Sequence, residues 1–142
     1  MKVTYYGHAC FAAEVANRTL LFDPFISGNE LAKAVDPKQV PADFILISHG
    51  HADHLADAAD IAKRTGATII SNYEVTQWFG KMGLQRTHPL NHGGVTFSAS
   101  VARNSSMRFT RAAFPTGCMA ATRAALSSKV RREIFITRAT PH

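Results

Sequence analysis

The 142-residue sequence predicts an α/β fold, on three observations. Between Val3 and Phe22 short runs of aromatic and β-branched residues follow one another as in a β-meander. Phe44-Ile45-Leu46-Ile47 is wholly apolar, the pattern of a strand buried on both faces. From that run onward, strand-like and helix-like stretches alternate at the spacing of α/β proteins.

Taken in order, Val3–Tyr6 and Cys10–Val15 read as the first two strands, with Cys10 expected as a small buried hydrophobe. Asn17-Arg18 is a plausible turn, since Asn tolerates the left-handed region. Thr19–Phe22 makes the third strand, stopped at Asp23-Pro24 because proline restricts the residue before it. Residues 27–43, punctuated by Gly28, Pro37 and Pro41, read as loop or weak helix. The apolar run 44–47 follows, bounded by Asp43 and Ser48. Leu55–Thr65 keeps helical spacing through Leu55, Ala58, Ala59, Ile61 and Ala62, with Gly66 as its cap. Ala67–Ile70 is the next strand. Glu74–Lys81 is a short helix with Val75, Trp78 and Phe79 expected in the core. His88 and His92 flank Pro89 in what reads as a loop.

With 46% hydrophobic and 18% charged residues, the composition is that of a soluble globular protein. No run approaches the roughly 18 apolar residues of a membrane span. The start lacks the apolar core and cleavage site of a secretory signal. Cys10 and Cys118 form no disulfide framework, so a cytoplasmic address is the default expectation. The net charge of +6 is unevenly placed: residues 1–98 carry −1 and residues 99–142 carry +7.

The chemistry concentrates in His49-Gly50-His51-Ala52-Asp53-His54, directly after the buried strand. A hydrolytic metal centre needs neutral imidazoles and a carboxylate converging on a dication, with a position left for water. His49 and His51, two apart in a tight turn, can address one ion, and Asp53 and His54 a second. The end of a buried strand is where α/β proteins build sites. A solvated loop that merely happens to hold three histidines is the alternative, and the crowding of ligands speaks against it. His8 either lines this site or is a packed histidine. Asp23 either supports a ligating histidine or only forms a turn.

The motif resembles the His-x-His-x-Asp-His signature of the metallo-β-lactamase superfamily. Tyr6-Gly7-His8-Ala9-Cys10-Phe11, Leu21-Phe22-Asp23-Pro24-Phe25, Ile47-Ser48-His49 and Asn91-His92-Gly93-Gly94 narrow it. Together they are similar to small bacterial metal-dependent hydrolases related to ascorbate-6-phosphate lactonase, over residues 1 to about 98. The resemblance implies an αββα sandwich, of which this chain supplies the N-terminal half. It implies two divalent metal ions, usually zinc, with manganese or iron as alternatives. His49 and His51 would hold the first and Asp53 and His54 the second. It further implies that hydroxide held by the metals attacks an ester, lactone or phosphoester-type small molecule, with Asp53 in a catalytic role orienting the nucleophile.

Residues 1–98 are thus expected to be the N-terminal part of a hydrolase domain, and residues 99–142 a basic segment rich in Ala and Arg. That segment reads as out-of-frame translation of the family's second half, the frame changing near Ser98–Ser100. Reading each codon's last base with the next codon's first two permits, between Met107 and Gly117, Ala-Val-His-Ser-Ser-Ser-Phe-Pro-Asp-Gly. Segments 119–128 and 135–142 permit two further family-like stretches, in order. The chain is then truncated and impaired, and the sheet face meant for its second half is an aggregation liability. The alternatives are a non-catalytic metal-binding fragment, or a basic tail that binds nucleic acid. The absence of interleaved aromatics and of any nucleic-acid module speaks against the latter. No membrane partner is expected, and an oligomer remains compatible with the sequence.

Overall fold

The computed structural model describes residues 1–90 throughout and, beyond them, the backbone of four strands at 95–96, 105–111, 122–128 and 135–138. β1 (Lys2–Gly7), β2 (Cys10–Val15) and β3 (Arg18–Phe22) form the antiparallel meander. Val15 pairs with Arg18 across a two-residue turn, Ala16 and Asn17, whose φ values are 50° and 60°. Two consecutive left-handed residues match the twist of a hairpin, and Asn is among the residues that tolerate them. The turn therefore sits one residue earlier than the sequence suggests.

β4 (Phe44–Leu46), β5 (Thr68–Ser71) and β6 (Thr87–Pro89) then add to β3 in sequence, each parallel to the last. His88 accordingly lies in an edge strand rather than a loop, while His92 lies outside the described residues. β7 (Val95–Thr96), β8 (Ser105–Arg111) and β9 (Thr122–Ser128) make a separate antiparallel sheet. β10 (Phe135–Arg138) joins the main sheet parallel to β1, giving the order β10-β1-β2-β3-β4-β5-β6.

Side chains of the central strands alternate between two cores. Leu21, Ile45 and Ile69 lie on one face, with Cys10 and Ala12 and the helix residues Ala58, Ile61, Ala62, Val75 and Phe79. Leu20, Phe22, Leu46 and Ile70 lie on the other with Ala13 and Leu90, and the rings of Phe11 and Phe22 stack at 4.3 Å. Both faces are buried, which is why these strands read as unbroken apolar runs. On the second face Leu20 is 0% and Leu46 1% exposed. Cys10 is buried as expected, and burial pushes its thiol up to about 12.

The helix expected over 55–65 is two pieces, α1 (Ala52–Leu55) and α2 (Ala58–Thr65). The break is tertiary in origin. The Asp57 amide donates to the carbonyl of Pro24 (3.0 Å) instead of to the preceding turn. α2 ends at Gly66, whose φ of 70° lets its amide reach the Ala62 carbonyl. In α3 (Tyr73–Lys81) the Asn72 side chain caps the first turn through Val75 N. Val75 and Phe79, four apart, share the buried face, but Trp78 falls to its side and is 47% exposed, contrary to the expected core position. Among the described residues no helix is long and apolar enough to cross a membrane.

Candidate metal centre

β1 and β3 each run antiparallel to β2, and β3 is parallel to β4, so β1, β3 and β4 end on one edge of the sheet. That edge is where ligands gather in α/β proteins. The residue after β1 is His8, the residue after β3 is Asp23, and the chain after β4 runs Ile47 to His51 into α1. Residues separated by up to 46 positions in sequence are thereby brought to one place by strand topology.

Asp23 anchors the arrangement from beneath. It lies in the left-handed region at φ 41°, is 9% exposed, and its amide donates to the Leu46 carbonyl at 2.9 Å. Its carboxylate accepts from the Ser48 amide (2.7 Å) and the Ser48 hydroxyl (2.8 Å), and pairs with His54 Nδ1 at 3.1 Å. A hydroxyl has one proton to give. Since Ser48 gives it to Asp23, the Ser48 oxygen accepts from His49 Nδ1, 2.8 Å away. Both His49 and His54 are therefore protonated on Nδ1 and carry their lone pair on Nε2. Fixing the tautomer of a ligand through its far nitrogen is how proteins prepare histidines for metals.

His49 Nε2 lies 2.9 Å from His51 Nδ1, and the rings of His49 and His54 are 4.0 Å apart. The His49 pKa is lowered, by burial first and then by the neighbouring His54 and His51, with Asp23 and Asp53 opposing. That favours the neutral imidazole, the form that can bind a cation. On the outer side, His8 Nε2 lies 3.5 Å from Asp53 Oδ2, and donor atoms of His8, Asp53 and His54 all fall within 4.8 Å of one another.

This donor set fits a divalent ion. Imidazole nitrogens with a carboxylate suit zinc, manganese or iron, and two donors on one tetrahedral zinc sit about 3.4 Å apart at bond lengths near 2.1 Å. His49 Nε2 and His51 Nδ1 lie at hydrogen-bond distance, 2.9 Å, so they need to part by only about 0.5 Å to share an ion. All six residues singled out in the sequence, His8, Asp23, His49, His51, Asp53 and His54, meet at this edge. Asp23 sits below the histidines, and His8 faces Asp53 and His54.

Two residues escaped the sequence reading. Ser48 links Asp23 to His49; its signals were its place between a buried strand and a candidate ligand, and the Ile47-Ser48-His49 stretch that carries the resemblance. Asp57 is 8% exposed and accepts from the amides of Ile26 (2.6 Å) and Ser27 (2.9 Å) and from the Ser27 hydroxyl. It ties the loop after Asp23 to the helical segment carrying Asp53 and His54. Its signal was a carboxylate inside an otherwise apolar helical pattern.

Residues 2–112 match the family described as "Beta-lactamase superfamily domain". A "UPF0173 metal-dependent hydrolase" of Methylacidiphilum infernorum is 53% identical over 94 residues, covering 66% of this chain and 42% of that one. Its counterpart from Flavobacterium johnsoniae is 49% identical over 94 residues, covering 66% and 41%. The chain thus spans about two fifths of the length of these relatives. Among solved structures, Igni18, "a novel metallo hydrolase" from the archaeon Ignicoccus hospitalis, is similar at a TM-score of 0.69 and 29% identity. That likeness covers 89% of this chain and 55% of the other.

Proposed function

This chain belongs to the beta-lactamase superfamily, and from that premise we propose that it is a metal-dependent hydrolase of an ester, lactone or phosphoester-type small molecule. The single observation carrying this reading is the convergence of His49, His51, Asp53 and His54 on one sheet edge, with the tautomers of His49 and His54 set by Ser48 and Asp23. The donor set suits two divalent ions, zinc first, with manganese or iron as alternatives. The chemistry such ions supply when bound is Lewis acidity and an acidified water. His49 and His51 hold one ion, Asp53 and His54 the other. Asp53, half exposed, also accepts a hydrogen bond from the attacking water and orients it.

The test is turnover of a chromogenic ester, a lactone and a phosphodiester by the zinc- or manganese-loaded chain. Metal-dependent cleavage of at least one, lowered 100-fold or more in Asp53→Ala, is expected. Metal bound without turnover above the variant's background would instead favour a non-catalytic metal-binding chain. The two fifths of the relatives' length that this chain spans is the observation on that side.

For residues 99–142 we infer out-of-frame translation of the family's second half. The +7 charge and the three family-like stretches in the shifted frame support it. The family match reaching residue 112 pulls the other way. Determining the coding sequence decides it: an insertion or deletion near codon 98 is expected, and an uninterrupted frame shared by sister strains sinks the idea.

A further inference from the structure

His8 is an expensive residue to place as it stands. Its φ of 53° is in the left-handed region, a strained conformation for a non-glycine residue. Gly7 before it, at φ 111°, has no room for a side chain, since a Cβ would come within 2.6 Å of Leu31 Cβ. The turn is held by the Tyr5 hydroxyl, which donates to the His8 carbonyl at 3.0 Å, and the ring rests edge-on to Phe25 at 5.9 Å. The visible return is small. At 3.5 Å the contact to Asp53 is longer than a hydrogen bond, and the two side chains are 42% and 50% exposed. An exposed pair of that kind contributes little to stability.

A cation supplies what the contact lacks. Two donors on one zinc are at most about 4.2 Å apart, twice the bond length. The donor atoms of His8, Asp53 and His54 lie within 4.8 Å of each other, so closing on one ion needs a shift of under about 1 Å, within reach of small side-chain rotations. His54 Nδ1 is engaged by Asp23 at 3.1 Å, which leaves Nε2 as its metal-binding nitrogen. We propose that His8 is a third protein ligand of the ion held by Asp53 and His54, making that half of the centre a three-donor site built wholly within residues 8–54. The inference rests on the metal-centre reading above. It also sets an order of loading: the three-donor half fills before the half offering only His49 and His51.

The test is a cobalt(II) titration of the full metal-free chain, followed by calorimetry and by the visible spectrum of the bound ion. The wild type and the double variant His49→Ala/His51→Ala should share the same tight first equivalent. His8→Ala should bind that equivalent at least tenfold more weakly, with a changed spectrum. His8→Asn, which tolerates the left-handed backbone, serves if circular dichroism shows the alanine variant misfolded. First-equivalent affinity within threefold of wild type in the His8 variant, or loss of that equivalent in the double variant, overturns the proposal and leaves the metal-centre reading standing. A wild-type chain that takes up no cobalt overturns both.

Discussion

Replacing Asp23 by Asn should weaken metal binding without emptying the site of ligands. Asn keeps the shape, tolerates the left-handed backbone at φ 41°, and can still accept from the Ser48 amide. Its other end becomes a donor, which faces the Ser48 hydroxyl at 2.8 Å and His54 Nδ1 at 3.1 Å. Both groups lose their acceptor, and with it the reason for His49 and His54 to keep their lone pairs on Nε2. Removing such a supporting partner typically costs 10- to 100-fold in metal affinity, or about 1.4–2.7 kcal/mol. Two charge-assisted hydrogen bonds also disappear from a nearly buried site, so the metal-free fold should lose about 2–3 kcal/mol. Zinc calorimetry on wild type and Asp23→Asn reads the first effect and urea unfolding the second. A zinc affinity within threefold of wild type would refute the claim that Asp23 sets the ligand tautomers.

The same reasoning extends to two other carboxylates. Asp57→Asn should lower stability by about 2–3 kcal/mol in urea unfolding, because a buried carboxylate serving three donors becomes a neutral amide with one acceptor; an unchanged midpoint would count against its tethering role. For Asp43, burial is the largest influence and raises the carboxyl, but the Thr19 amide and Arg18 together outweigh it and hold the group below its usual range. A lowered carboxylate adds stability that is present above the unfolded value, near 4, and is lost as pH falls through the folded value. With the side chain 33% exposed, about 1 kcal/mol is expected. The stability gap between wild type and Asp43→Asn should be constant above about pH 5 and shrink below pH 4. A gap that holds to pH 2 would assign the effect to packing.

Sequence legibility followed the range of the interactions. Cys10–Val15 and the 44–46 strand were readable because a strand's face pattern is local, and Gly66 because a helix cap is local. The break at Asp57 was not, since it is imposed by Pro24, Ile26 and Ser27, some thirty residues away. Trp78 was misplaced because a short helix leaves the border of its apolar face ambiguous by one position. At the site, the cluster 49–54 was legible because its donors are neighbours in sequence. The roles of Ser48 and Asp23 depend on β3 and β4 lying parallel in one register, with Phe22 opposite Leu46. No local pattern encodes that. His8 and Asp23 could be named as candidates, but their placement came only with the shared edge of β1, β3 and β4.

The central claim is that this edge of the sheet holds metal. Elemental analysis of the purified full chain, beside His49→Ala, tests it most directly. Close to two equivalents of zinc, manganese or iron, falling to one in the variant, is the result expected from two half-sites of which His49 serves only the first. No stoichiometric metal in the wild type, after loading and desalting, would contradict the account.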